Sequence, residues 1–577
     1  MTKNAQRVIL ATGVLAGLVL GCRGLFSGAG GAPGSDPKAA GVPPALFAGG
    51  PGSFGAETNA GGPGGSSRFS TNANTPAEME TFSFFTQSQI DPADEDTAGP
   101  KFVVSGDIDN DGLLDLASGW NQSQPVQIHL QRRDADGRIT FQTVTLAGTS
   151  PVTIMGSLKL GDIDGDGFLD VAMAIKNTGF IRFCVPNAPD CNDVPDVIDA
   201  DEGLVGILFS PGDAALITNG DNWEEVVFEA SRLSGRRDIP AVEEPVEPEF
   251  NSYTDIELGE IDGVNGLDII VAFNPAECEC DGELPPNNRV DLYPNPGPGQ
   301  VRNGDSWLPI RIQNDAPYVK DTALLDVEGD GDLDVVVTYP SSISRNVRWV
   351  RNPLVPHTPG GIGGTAAVLT GEATWQHRPV GQLDPRADVL AIGDIDFDGH
   401  DDVMVRGVVT ESSLSSGSSG IVQWFRSPNT PQREPINPPD PVPGRFDFPW
   451  QVYTMAEFAD RVPEGIGLGD ITGDGQLDAV VGVEGAIVWY DATPSGSVFV
   501  EWVESPIIRD SAPDDPSLMP GVDETSTFIN NVLIVDLDGD GFSDIVGTLD
   551  RRTGSGVSND VLVWYRNNLG QRPQAGP

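Results

Sequence analysis

The stretch that most restricts how this chain can fold is DIDGDGFLD, Asp162 to Asp170. It sets carboxylates at positions 1, 3, 5 and 9 of a nine-residue turn: Asp162, Asp164, Asp166 and Asp170. Gly167 follows the third of them, where the chain has to bend sharply. Carboxylates crowded onto one tight turn repel each other unless a hard cation sits between them. Ca2+ takes roughly six to eight oxygens in a flexible arrangement, so alternating aspartates and one backbone carbonyl, here that of Phe168, suit it.

The motif is present seven times. DIDNDGLLD offers Asp107, Asp109, Asp111 and Asp115, and EIDGVNGLD offers Glu260, Asp262 and Asp268. DVEGDGDLD supplies Asp326, Glu328, Asp330 and Asp334; DIDFDGHDD supplies Asp394, Asp396, Asp398 and Asp402. DITGDGQLD brings Asp470, Thr472, Asp474 and Asp478, and DLDGDGFSD brings Asp536, Asp538, Asp540 and Asp544. The third loop has Val264 at position 5 and Asn265 where glycine is expected, and the sixth has Thr472, a poor ligand, at position 3. With one carboxylate fewer, these two loops are expected to hold calcium less tightly, for a total of five to seven ions. Position 2 is always aliphatic (Ile108, Ile163, Ile261, Val327, Ile395, Ile471, Leu537), so each loop is expected to be clamped onto a core.

Helical calcium modules are excluded. An EF-hand needs a bidentate glutamate at about position 12 of its loop, between two helices. The twelfth positions here are Ser118, Met173, Val271, Val337, Val405, Val481 and Gly547, and the runs after the loops, such as DIIVAF and DVVVTY, favour strands.

Loop starts fall at 107, 162, 260, 326, 394, 470 and 536, and each repeat keeps one order. An apolar run leads into the loop and a second follows it. A third often carries paired aromatics (Trp424-Phe425, Trp489-Tyr490, Trp564-Tyr565) or Trp349, and a fourth opens on an aromatic such as Phe141, Trp223, Trp307, Trp375, Trp450 or Trp502. Four short strands per repeat around a ring make an all-β propeller. One aromatic per blade at fixed phase reads as core between blades rather than a carbohydrate-binding array. The last repeat stops one strand short, while TFSFFTQSQI, Thr81 to Ile90, is a surplus strand ahead of the first loop. That N-terminal strand is expected to complete the last blade, with Phe82 or Phe84 in the recurrent aromatic place, and so remove the exposed edge.

GDIDGDGFLDVAMA and its six relatives, with the Trp-Tyr-Arg-Asn strand, resemble the FG-GAP/VCBS repeats of integrin-α-like propellers. The resemblance covers roughly residues 80–573. It implies a seven-bladed propeller of four-stranded blades with Ca2+ between adjacent strands, in a family whose members serve in adhesion, ligand binding and occasionally polysaccharide cleavage.

Residues 1–22 read as an export signal: Lys3 and Arg7 precede the apolar Val8–Leu20, and Val19-Leu20-Gly21-Cys22 resembles a lipobox with Cys22 as the lipidated residue. Residues 23–78 are rich in Gly, Pro and Ser and form a disordered tether with a typical reach of about 40 Å. The head, 79–577, is expected to be monomeric, lipid-anchored, and exported to the cell envelope or surface. Cys184, Cys191, Cys278 and Cys280 then form an even set for two disulfides, with three connectivities open and a metal site as the alternative. The acidic insertions around them, in repeats two and three, are candidate contact surface.

A net charge of −51 with no basic patch excludes nucleic acid and anionic lipid as partners. None of the four histidines (His129, His357, His377, His400) sits in a catalytic motif, and the paired acids are accounted for as calcium ligands. The expected function is a non-catalytic binding or adhesion module for a protein or glycan. The alternative is a carbohydrate-active enzyme, a lyase or hydrolase, with its site in the central depression.

Overall fold

The computed structural model describes residues 85–91, 100–120, 126–146, 154–176, 203–228, 253–274, 288–314, 316, 318–340, 345–355, 363–383, 386–410, 419–427, 450–459, 462–483, 486–494, 500–504, 508–509, 526–552 and 561–569. The proposed signal peptide with Cys22, the tether, and Cys184, Cys191, Cys278 and Cys280 lie outside the described residues.

Every acidic loop is flanked by strands, because the β-branched runs on either side pair antiparallel across it. Seven antiparallel sheets result. Blade one spans 100–145, blade two 154–227, blade three 253–313, blade four 321–381, blade five 390–458, blade six 463–509, and blade seven 526–567 with residues 85–91. Six sheets have four strands, in sequence order from inside to outside except in blade seven, where residues 85–91 take the outermost place; blade six adds a two-residue strand, Ile508–Arg509, beside its third strand. First strands touch the first strands of both neighbours all the way round, which closes a ring of seven.

The N-terminal strand is the outermost strand of blade seven. Phe85 to Asp91 pairs antiparallel with Val561–Asn567, the last strand among the described residues. Phe82 and Phe84 lie outside the described residues, and the aromatic place is taken by Phe85, which meets Trp489 edge-on at 6.4 Å.

The core is divided into seven clusters, and each is shared by two adjacent blades. The position-2 aliphatics plug these clusters from above: Ile108 sits in the cluster between blades one and two, Ile163 between two and three, Leu537 between seven and one. The aromatics ahead of the fourth strands also pack there, with Trp307 fully buried and stacked on Phe228 of the preceding blade at 4.7 Å.

Short helical turns were not foreseen. Ala214–Ile217, Gly220–Asn222, Gly304–Ser306, Thr365–Val368 and Gly371–Ala373 all occur between third and fourth strands. They place Trp223, Trp307 and Trp375 so that each indole N–H donates to the carbonyl of Ile217, Val301 or Val368 at 3.3, 2.8 and 3.1 Å. The antiparallel order puts all seven acidic loops, and these turns, at one face of the ring. Segments 177–202 and 275–287, which carry the cysteines, join second to third strands, so their described ends lie at the opposite face.

Deleting residues 1–91 should lower the melting temperature and promote association through the uncovered last strand. Differential scanning calorimetry and sedimentation of the truncated chain against the full chain check this, and unchanged behaviour in both would remove the closing role of that strand.

Candidate metal centres

Each acidic loop is built by its own carboxylates. In five loops the first one receives the N–H groups of positions 5 and 6: Asp107 accepts from Asp111 and Gly112 at 3.0 and 2.9 Å, and Asp394 from Asp398 and Gly399 at 3.0 and 2.9 Å. The position-5 carboxylate receives the N–H of position 7, as in Asp166 from Phe168 at 2.9 Å. These are local side-chain turns that replace a backbone ladder. They force left-handed backbone at position 4 as well as at the expected glycine, so bulky Phe397 is held at φ 61°, an uncommon and costly conformation for such a residue.

The ninth aspartate does a different job. All seven (Asp115, Asp170, Asp268, Asp334, Asp402, Asp478, Asp544) are fully buried. In each, one oxygen accepts the N–H of position 2 and the other accepts an N–H from the third strand. For Asp170 the donors are Ile163 at 3.0 Å and Ser210 at 2.9 Å; for Asp544 they are Leu537 at 3.2 Å and Asn567 at 2.6 Å. This residue staples loop to blade; in Asp115, Asp268 and Asp478 the first oxygen accepts the N–H of position 3 as well.

The loop is also tied to the next blade. Asn295, Asn352 and Asn567 donate their side-chain amides to the position-2 carbonyls of the preceding blade, Ile163, Ile261 and Ile471, at 3.0, 2.9 and 2.8 Å. Gln131 does the same to Leu537 at 2.7 Å, across the ring closure. The corresponding residues of the other blades are Ser210, Ser427 and Ala492, whose side chains are too short to span the gap.

Do these residues fit a calcium ion? In five loops three acids bring one oxygen each within 4.8 Å of one another: Asp107/Asp109/Asp115, Asp162/Asp164/Asp170, Glu260/Asp262/Asp268, Asp394/Asp396/Asp402 and Asp536/Asp538/Asp540. That separation is spanned by two Ca–O bonds of about 2.4 Å. Asp109 Oδ1, Asp162 Oδ1, Asp396 Oδ1 and Thr472 Oγ1 are buried with no hydrogen-bond partner, as oxygens reserved for an ion would be. The donor set is all oxygen. The residues present fit a hard divalent cation.

The third loop, expected to be weak, does gather its three acids; Val264 is turned outward and 41% exposed. The fourth, with its full set, does not form such a triad among the described residues; its Glu328 pairs with Arg351. The sixth is short of an acid at Thr472, as read from the sequence.

Sequence reasoning missed the cations of the protein itself. Arg132 pairs with Asp109 and Asp111 at 2.6 and 3.1 Å, Arg426 with Asp396 and, at 2.9 Å, with Asp398, and Arg566 with Asp538. In blade two the arginine comes from the neighbouring blade: Arg302 reaches Asp164 at 2.5 Å. All five loops with four acids have such an arginine. The signal was in the sequence as Trp-Val-Arg-Asn, Trp-Phe-Arg-Ser and Trp-Tyr-Arg-Asn at third-strand ends (349–352, 424–427, 564–567).

Burial pushes the carboxyls of Asp115, Asp170, Asp268, Asp478 and Asp544 up to about 7 and that of Asp402 up to about 8, against backbone N–H groups that pull them down. Neighbouring acids add to the rise, as Asp164 and Asp166 do at Asp170.

A family model described as an FG-GAP-like repeat matches residues 107–173, from the first acidic loop through the second loop into its following strand. No curated protein matches the chain. Among solved structures, BBS1N in complex with ARL6DN, soaked with lead, is similar at 10% identity and TM-score 0.39, covering 86% of this chain and 98% of that one. An active polycomb repressive complex 2 in the basal state is similar at 10% identity and TM-score 0.36, covering 70% and 69%. The V. cholerae biofilm matrix protein Bap1 is similar at 12% identity and TM-score 0.32, covering 84% and 89%.

Two outcomes are expected. Asp170→Asn should cost about 1–3 kcal/mol in chemical denaturation, since an amide N–H2 then faces a backbone donor. In chelator, the folded chain holds protons on the ninth aspartates that the unfolded chain has released, so stability is present at acid pH and lost as pH rises from about 4 towards 7. A bound cation favours the ionised form, so the gap between calcium and chelator melting temperatures should widen from about pH 5 to pH 8. A gap independent of pH would remove the ninth aspartates from the linkage.

Proposed function

From a seven-bladed propeller bearing an FG-GAP-like repeat, we propose a calcium-stabilised binding and adhesion module, exported and held at the cell envelope by a lipid on Cys22. The observation that carries this reading is the sevenfold repetition of one acidic loop on one face of the ring, with buried carboxylate oxygens left unpaired inside it. The ions, five to seven Ca2+ in all, neutralise the loops and hold their staples to the blades. They stiffen the face on which the third-to-fourth-strand connections present a surface to a glycan or protein.

We read the module as a binder rather than a catalyst. The charged groups on the innermost strands are spent on the ring itself. Lys159 of blade two pairs with Glu257 of blade three at 2.7 Å, Asp255 accepts the Thr322 N–H of blade four at 2.8 Å, and Asp321 accepts the Leu390 N–H of blade five at 2.9 Å. The Ser118–His129 pair, 2.8 Å apart, has the chemistry of a nucleophile and base, but both residues are fully buried. The Trp120 indole donates to Ser118 Oγ at 2.7 Å, and burial pushes the imidazole down to about 3. It is a core polar network.

Among the described residues no helix is long and apolar enough to cross a membrane.

Calcium removal is expected to lower the melting temperature by at least about 10 °C, since a ligand at a hundredfold excess over Kd adds about 2.7 kcal/mol per site. An unchanged melting curve in a sample shown to be metal-stripped would overturn the calcium reading. Envelope polysaccharides and glycan arrays should be retained by the calcium-loaded head without new reducing or unsaturated ends; release of such ends would turn the assignment to an enzyme.

A further inference from the structure

In three blades the residue that hands its N–H to the ninth aspartate fixes its predecessor beside the acidic loop; in blades one and two the predecessors, Leu130 and Phe209, are buried in the core instead. In blades four, five and seven the donors are Asn352, Ser427 and Asn567. Their predecessors are Arg351, Arg426 and Arg566, and each meets the position-3 acid of its own loop (Glu328, Asp396 and Asp538). In blade six the donor is Ala492, at 3.1 Å from Asp478, so the predecessor at the same register is Asp491. The position-3 residue of that loop is Thr472. Both members of the pair have therefore changed, and changed together: the loop has lost an acid, and the strand carries one in place of a base.

We propose that Asp491 is the missing acid of the blade-six cation site, set on the third strand where Thr472 leaves the loop one carboxylate short. The inference rests on the calcium reading above. Three further observations support it. Thr472 Oγ1 is buried without a hydrogen-bond partner, so the space normally filled by the position-3 carboxylate holds an oxygen that lacks company. The equivalent arginines touch position 3 through Nε, the nitrogen nearer the backbone, which is the part of their reach that a shorter aspartate can match. Asp491 is half-buried, as befits a group at the edge of the loop rather than in bulk water.

The exchange conserves what an ion senses. Loops with four acids share them with an arginine, whereas blade six keeps three acids in the loop, adds a fourth from the strand and has no arginine at that register. Affinity for Ca2+ follows the charge count and the number of oxygens, so blade six should bind at least as tightly as the complete loops rather than more weakly. Blade three, where the same register holds Pro294, has no such replacement.

The test uses the full chain and Ca2+ itself, titrated calorimetrically after metal stripping, with melting in chelator as the measure of fold integrity. Asp491→Asn is expected to remove one ion from the stoichiometry or to weaken one site by about tenfold or more, while its melting in chelator stays at or above wild type because like charge has been removed. The double variant Thr472→Asp/Asp491→Arg, which rebuilds the arrangement of blades five and seven, should restore the lost ion. Wild-type stoichiometry and affinity in Asp491→Asn would overturn the proposal, as would a lost ion that the double variant fails to recover. A wild-type chain that takes up no Ca2+ would instead overturn the calcium reading, and this inference with it.

Discussion

Crowding of like charge on tight turns is the condition the rest of this molecule answers to. Each nine-residue loop needs short side-chain acceptors to satisfy its own N–H groups, because no strand partner is available within the turn. Aspartate meets that need, and the result is three or four carboxylates within a few ångströms. Their repulsion is relieved by positive charge from outside the loop, either a divalent ion or an arginine from a neighbouring strand. Local backbone satisfaction and cation attraction are thus the same residues seen at two scales.

That coupling extends sideways. The position-2 residue inserts its side chain into the core shared with the next blade and offers its carbonyl to that blade's asparagine. The ninth aspartate ties the same loop down to its own third strand. A disturbance of the loop is therefore transmitted to two blades at once. Where the latch residue is Ser210, Ser427 or Ala492, this amide hydrogen bond is missing and other polar contacts bridge the junction: Asn110 to the Gly167 carbonyl at 2.8 Å, the Leu390 N–H to Asp321 at 2.9 Å, and Arg406 to Glu464 at 3.5 Å.

Much of this was legible in the sequence because the signals are local and repeated. The acid spacing, the aliphatic at position 2, the flanking β-branched runs and the surplus first strand gave the ring, its count of blades and its closure. What escaped notice depends on partners brought together by folding. Arg302 acts on Asp164 from 138 residues away and from another blade, and no window around either residue reveals it. Arg351, Arg426 and Arg566 lie closer, but they look like ordinary strand-end solubilising charges until the register places them over the loop. The helical turns before Trp223, Trp307 and Trp375 are a few residues long, too short for any periodicity to declare them. The convergence of Glu260, Asp262 and Asp268 in the third loop escaped notice too, because ligand counting ignores geometry.

The pairing of Phe85–Asp91 with Val561–Asn567 joins the first described strand to the last. Six blades can be assembled from contiguous pieces of chain as they appear, but the seventh has to wait for its far half, and until then the nascent ring gapes. Contacts separated by most of the chain length form slowly. In any route that threads the polypeptide through a narrow pore, the clasp snaps shut only after the tail has cleared it, so the finished ring belongs to the compartment of arrival.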